Sequence, residues 1–234
     1  MSGIAACIGF KDRDIELLQA GIKSLGDSID EVIVSNLSDE MLNLDCINRE
    51  IYLPGLPWRE ALSKNIAALH SAGNILLFTN CGIVFSEMLI EAAIQLLEQG
   101  KTFVCPATMY IRANKQASER YMNGEAVDLL ANYEWSHKEA GIGDFLLIYK
   151  SDFVRIGGYD SRFTGWGALD RDFNNRAEEC GMIRHVAEGT LYHLYDGFPP
   201  GQHETDGGGW KANQELMKIS KQTGWWRNEL RKIS

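Results

Sequence analysis

The chain opens on an unbroken apolar run, Ile4 to Phe10, the pattern of a strand buried on both faces. A polar stretch, Lys11-Asp12-Arg13-Asp14, follows. Apolar residues then recur at Ile15, Leu18, Ile22 and Leu25, the spacing of one helix face, with Asp12 or Asp14 placed to cap its start. The β-branched segment 31–35 reads as a second strand. Strand, helix and strand within about 35 residues form the βαβ unit of a parallel sheet. The unit recurs. A helix over 59–71 carries Leu62, Ile66 and Leu69 on one face, ends near Gly73 and feeds a strand at 75–78. Ser86 is then expected to cap a helix with Leu89, Ala93, Leu96 and Leu97 inward, stopped at Gly100 and followed by a strand at 103–105. These elements predict an α/β fold with a mainly parallel central sheet and helices on both faces.

Residues 110–141 mix charged, polar and aromatic types without a period, and read as a variable insertion. Order returns with a central strand at 144–149 and a helix over 170–180 closed by Gly181. The segment DGFPPGQHETDGGG, 196–209, is too rich in Gly and Pro for regular structure and reads as a mobile loop. Neither an internal repeat nor a linker divides the 234 residues, so one domain over 1–234 is expected.

Composition narrows the partners. Lys and Arg number 23 against 32 Asp and Glu, a formal charge of -9, and a net acidic chain gains little from a phosphate backbone, so nucleic acid is not expected. No apolar run approaches the ~20 residues of a transmembrane helix, and the first residues lack the basic and apolar regions of a secretory signal. The five cysteines are scattered, without a CxxC or Cys/His cluster that would suggest zinc. A reduced, cytoplasmic protein is expected, with the inner membrane surface as the other location considered.

Ligands of open α/β sheets bind at the carboxyl ends of the strands. The residues there are Phe10-Lys11-Asp12-Arg13, Ser35-Asn36 with Asp39, Asn80-Cys81-Gly82 and the loop leading into Asp170. Lys11 and Arg13 either neutralise a phosphate or are ordinary solvated loop charges; the residues alone leave both open. The densest block is GGYDSRFTGWGALDRDF, 157–173, where four glycines and Trp166 precede a helix start with two carboxylates. Asp170 and Asp172 are two apart and diverge by about 200° on a helix, so they cannot serve one atom together. One is free for chemistry while the other caps or positions. Plain helix capping accounts for an Asp here, but not for the glycines and the Trp.

That block resembles the pattern GGFDERFxGWGGEDxDF of nucleotide-sugar-dependent glycosyltransferases with the GT-A fold. The resemblance is to the family 2 enzymes and the galactosyltransferase C-terminal type. Phe10-Lys11-Asp12-Arg13 resembles the family's FRNR motif, and Lys64-Asn65 its Arg-Asn pair. Gly143-Asp144-Phe145 resembles the strand before the acceptor site, and LLFTNCGI stands where the family reads LFLDADI. The resemblance implies a single GT-A (Rossmann-like) domain with a nucleotide-sugar half (1–105), an acceptor and catalytic half (106–195), and a loop with a C-terminal helix (196–234). It implies Asp170 as catalytic base. Phe10, Lys11, Arg13, Asn36, Lys64, Asn65, Asn80 and Gly82 are placed around the donor, and Gly143, Asp144, Trp166 and Asp172 around the acceptor.

The departures fall at the metal. The family's DxD, which holds manganese or magnesium, aligns with Asn80-Cys81-Gly82, which lacks both carboxylates. Such ions want hard oxygen ligands. His193 resembles the late His that completes the family's metal site, and Asp196, His203, Glu204 and Asp206 are candidates to compensate. The implied reaction moves a sugar, with inversion, from a nucleotide-diphosphate donor such as a UDP-sugar to a hydroxyl of a glycan or glycoconjugate. Without a metal, Lys11, Arg13, Lys64 and Arg171 are the cations for the leaving diphosphate. The alternatives are a degenerate GT-A domain that binds nucleotide or glycan without transfer, and a non-catalytic scaffold. A dehydrogenase is disfavoured because the first strand-helix turn lacks GxGxxG.

Overall fold

A computed structural model describes residues 3–86, 88–100, 102–105, 109–127, 134–137, 145–165, 167–197 and 209–223. The strands, in chain order, are β1 (Ile4–Phe10), β2 (Glu31–Asn36), β3 (Arg49–Tyr52), β4 (Ile75–Asn80), β5 (Ile83–Phe85) and β6 (Thr102–Cys105). They continue with β7 (Met109–Ala113), β8 (Glu134–His137), β9 (Phe145–Tyr149), β10 (Ile183–Val186) and β11 (Thr190–His193). The helices are α1 (Ile15–Ser24), α2 (Glu60–His70), α3 (Leu89–Leu97), α4 (Lys115–Met122), α5 (Lys150–Ile156), α6 (Leu169–Glu179) and α7 (Trp210–Thr223).

Seven strands form the main sheet in the order β10-β6-β9-β4-β1-β2-β3. Neighbours run parallel except around β9, which is antiparallel to both β4 and β6. Both faces are covered. Leu18 and Ile22 of α1 and Leu89, Ala93 and Leu97 of α3 pack with Ile4, Ile8, Val34 and Leu77 on one side. Ala61, Ala67 and Ala68 of α2 and Phe153, Phe173 and Ala177 of α5 and α6 pack with Ala5, Cys7, Ile33 and Phe78 on the other. Every residue of β1 is buried, as its uninterrupted apolar run requires. The α/β class, the mainly parallel sheet and the two helical layers are as expected. Among the described residues no helix is long and apolar enough to cross a membrane.

Several local expectations are corrected. Residues 110–141 are not simply an insertion: β7, α4 and β8 lie there, and β7 and β8 join β5 and β11 in a second sheet, order β5-β11-β7-β8. β7, β8 and β11 of that sheet mix polar with apolar residues and so lack the apolar run that marked the first. α2 turns a different face inward. Leu69 is 70% exposed while Ala61, Ser63, Lys64, Ala67 and Ala68 are buried. Small residues win because the helix lies close on β1, where a Cβ on Gly9 would sit 2.2 Å from Ser63 Oγ. Asp14, not Asp12, caps α1 by accepting from Glu16 N at 2.9 Å. Ser86 does not cap α3 with its side chain. Its hydroxyl accepts from Thr190 N at 3.0 Å and ties the helix start to β11.

Candidate active site

β1, β2, β4 and β6 all end on one edge of the main sheet, and the expected donor residues sit there in different states. Phe10 is 2% exposed and its side chain is part of the core. Asn36 is fully buried. Its amide donates to Glu40 O and Glu50 Oε1, both at 2.7 Å, and its carbonyl accepts from Ser38 N at 2.9 Å, so it shapes the loop after β2. Lys11 spends its ammonium on the carbonyls of Leu37 (3.1 Å) and Leu56 (2.9 Å), stitching two loops beside β1. Lys64 is 1% exposed. It pairs with Glu60 at 2.6 Å and lies over the Tyr159 ring, 5.6 Å from its centre. An arriving phosphate would have to displace Glu60 to reach it. Asn65 clamps the backbone of Tyr159 from both sides, donating to its carbonyl (2.7 Å) and accepting from its N–H (2.9 Å). Arg13 stands apart from these. Its side chain is 40% exposed and meets Asp196 at 3.4 Å.

Asp170 begins α6, half-buried, two residues past Ala168. Cys105, the last residue of β6, donates from Sγ to Asn174 Oδ1 of α6 at 3.4 Å, which sets the first turns of α6, and Asp170 with them, by the end of β6. Three inter-strand spacings separate β6 from β1, roughly 14 Å, and both strands end on the same edge, so Asp170 and Arg13 stand at one edge of the sheet. Asp172 points the other way, as a two-residue offset demands. It is 3% exposed and accepts from Arg176 Nε at 2.8 Å. Burial pushes its carboxyl above the usual range, against the pull of Arg176. Arg176 in turn donates to the carbonyls of Ile156 (3.0 Å) and Gly158 (2.8 Å). Asp172 therefore belongs to the support beneath the glycine turn. Gly143, Asp144, Trp166, His203, Glu204 and Asp206 lie outside the described residues.

The sequence matches a family described as the N-terminal domain of galactosyltransferase over residues 129–196, less than a third of the chain but including Asp170, His193 and Asp196. No curated protein matches it by sequence. Among solved structures it is similar to GalNAc-T7 in complex with UDP, GalNAc and Mn2+, at a TM-score of 0.59 and 11% identity, over 84% of this chain and 44% of that one. It is also similar to the catalytic domain of Drosophila β1,4-galactosyltransferase 7 with xylobiose, at 0.53 and 15%, over 88% and 79%. A mutant of that enzyme with manganese, UDP-Gal and xylobiose matches at 0.53 and 16%, again over 88% and 79%. This chain has the glycosyltransferase GT-A fold. It spans less than half the length of the first of these relatives.

In this GT-A chain Asn80-Cys81-Gly82, the stretch expected to align with the metal-binding pair, forms the turn from β4 into β5. Asn80 offers an amide and Gly82 no side chain. Burial pushes the Cys81 thiol up to about 12, and a soft sulfur is in any case a poor ligand for manganese or magnesium, which want hard oxygens. The second sheet brings His193 alongside, since Leu194 N donates to Gly82 O at 2.9 Å. Its Nδ1 lies 2.9 Å from Tyr110 Oη and its Nε2 3.7 Å from Asp196 Oδ2. Asp196 already faces Arg13. The described residues hold no group of three His, Cys, Asp or Glu placed for a metal. Among the described residues this donor set does not fit a divalent cation held by protein side chains alone.

Tyr110, Asp196 and Arg176 complete the site and carried weak sequence signals. The i,i+4 spacing of Asp172 and Arg176 marks a helical ion pair, while Tyr110 sat in the segment without a period.

Proposed function

We propose that this GT-A chain transfers a sugar from a UDP-sugar to a hydroxyl of a glycan or glycoconjugate, with inversion at the anomeric carbon. Asp170 takes the proton from the acceptor hydroxyl as its oxygen attacks the anomeric carbon. The bond from that carbon to the diphosphate breaks, and its electron pair leaves on the phosphate oxygen. Arg13, on the far side of the edge, meets that developing charge as a bidentate donor. By the family resemblance, Trp166 is assigned to stack on the acceptor sugar. The observation that carries this reading is the placement of Asp170 and Arg13 on one carboxyl edge, with Asp170 in the segment that matches the galactosyltransferase family.

A panel of UDP-sugars and glycan acceptors, assayed with and without EDTA, tests it. Transfer is expected, with substantial activity remaining in EDTA, because Arg13 rather than DxD carboxylates answers the leaving group. NMR of the new linkage should show the anomeric configuration opposite to that of the donor. Calorimetry with UDP separates the alternatives: binding without turnover marks a degenerate domain, and no binding marks a scaffold. Complete loss in EDTA with rescue by manganese would overturn the role given to Arg13.

A further inference from the structure

The loop described at 160–165 and 167–168 leads toward Asp170, and its backbone is strained at Ala168. Gly165, Gly167 and Ala168 all have left-handed φ, at +68°, +94° and +66°, and at Ala168 the Cβ crowds the following carbonyl. Ala168 also starts α6 without a side-chain cap. Such a conformation persists only where the surroundings over-determine it. Here the surroundings are α7. Asn213, in its first turn, is 2% exposed. Its amide donates to Thr164 O at 2.9 Å and Gly167 O at 3.1 Å, and its carbonyl accepts from Thr164 N at 3.4 Å. Trp210 presses on the same loop, since a Cβ on Gly167 would sit 2.5 Å from its Cδ1. Further along α7, Ser220 Oγ accepts from Arg162 Nη2 at 2.9 Å, while Asp160 holds the same guanidinium.

We propose that Asn213 is a positioning residue for the transfer reaction. By holding the Thr164 and Gly167 carbonyls together it fixes the turn that launches α6, and so sets where the Asp170 carboxylate stands against the acceptor. Nothing in the sequence motif points to it, because it lies 46 residues past Gly167. The inference rests on the proposed transfer function, and its test is built to fail separately.

Asn213→Asp keeps the shape and the acceptor oxygen but removes both N–H donors. The variant is compared with wild type by thermal unfolding, amide hydrogen exchange, UDP calorimetry and steady-state kinetics. Exchange at residues 164–170 should quicken at least tenfold while β1 and β4 stay protected. UDP affinity should hold within twofold, and kcat should fall at least tenfold with the donor KM unchanged. Unaltered exchange at 164–170 overturns the clamp. Quickened exchange with unchanged kcat shows support of the fold alone and overturns the positioning role. If wild type binds UDP but transfers nothing, the transfer reading fails, and the positioning role with it, whereas exchange still reports on the clamp. Should Asn213→Asp not fold, Asn213→Ser, with the same readouts and the same criteria, takes its place.

Discussion

Replacing Arg176 by Met probes the support under the glycine turn. The side chain is 3% exposed and its partner Asp172 4%, so water does not compensate either charge. The substitution keeps most of the volume but strips one ion-pair bond and the donors to the Ile156 and Gly158 carbonyls. Breaking a buried pair by removing one partner costs about 3–5 kcal/mol. At ~2–4 °C per kcal/mol for a chain of this size, Tm should drop by roughly 6–20 °C. The loss should also depend on pH. The Asp172 carboxyl is already above its ordinary 3.8 because of burial, and Arg176 is what pulls it down. Without Arg176 it rises further. Between the ordinary value and the folded value, the folded state keeps a proton that the unfolded state has released. Stability therefore falls as pH rises through that window, by up to ~1.4 kcal/mol per pH unit. The variant's deficit should accordingly be smaller at acidic pH, toward the ordinary carboxylate value, than at neutral pH. Thermal melts of both proteins across that range measure it. A deficit below about 3 °C, or one that pH does not alter, would refute a buried charge pair as the support.

Asp170→Asn should lower kcat by roughly 10²–10⁴, the scale of a lost general base, while calorimetry finds UDP affinity within twofold of wild type. Turnover within tenfold would take Asp170 out of that role. Arg13→Ala should weaken UDP binding by about 1–3 kcal/mol, and unchanged affinity would mark Arg13 as a solvated charge held by Asp196. Met88, 63% exposed with φ +66°, starts α3 in the left-handed region. Met88→Gly should raise Tm slightly, since ~1–2 kcal/mol of steric strain is relieved against ~0.5–1 kcal/mol of added unfolded-state freedom; a lower Tm would show that the side chain packs usefully.

The main sheet was legible in the sequence because its strands are buried on both faces. Burial leaves an apolar run that no local neighbour can disguise, as in β1 and β4. The glycine block and Asp170 were legible as a motif, since residues close in sequence form one turn and one helix start. The inner face of α2 was not. Leu62, Ile66 and Leu69 carry the helical period, yet Ala61, Ser63, Ala67 and Ala68 face inward with Lys64, because the helix lies so close on Gly9 of β1 that the contact there takes only small side chains, and only the packed sheet sets that distance. The second sheet was not legible either, for β11 pairs with β5 and β7 far along the chain, and its strands other than the short β5 mix polar with apolar residues. The same holds for the contacts that assemble the site: Arg13 reaches Asp196 across 183 residues, Asn65 reaches Tyr159 across 94, and Tyr110 reaches His193 across 83. Sequence patterns record what each segment buries and how its own turns close. Which cation meets which carboxylate is fixed only when separate strands end on one edge, because that proximity is a property of the sheet order and not of any segment within it.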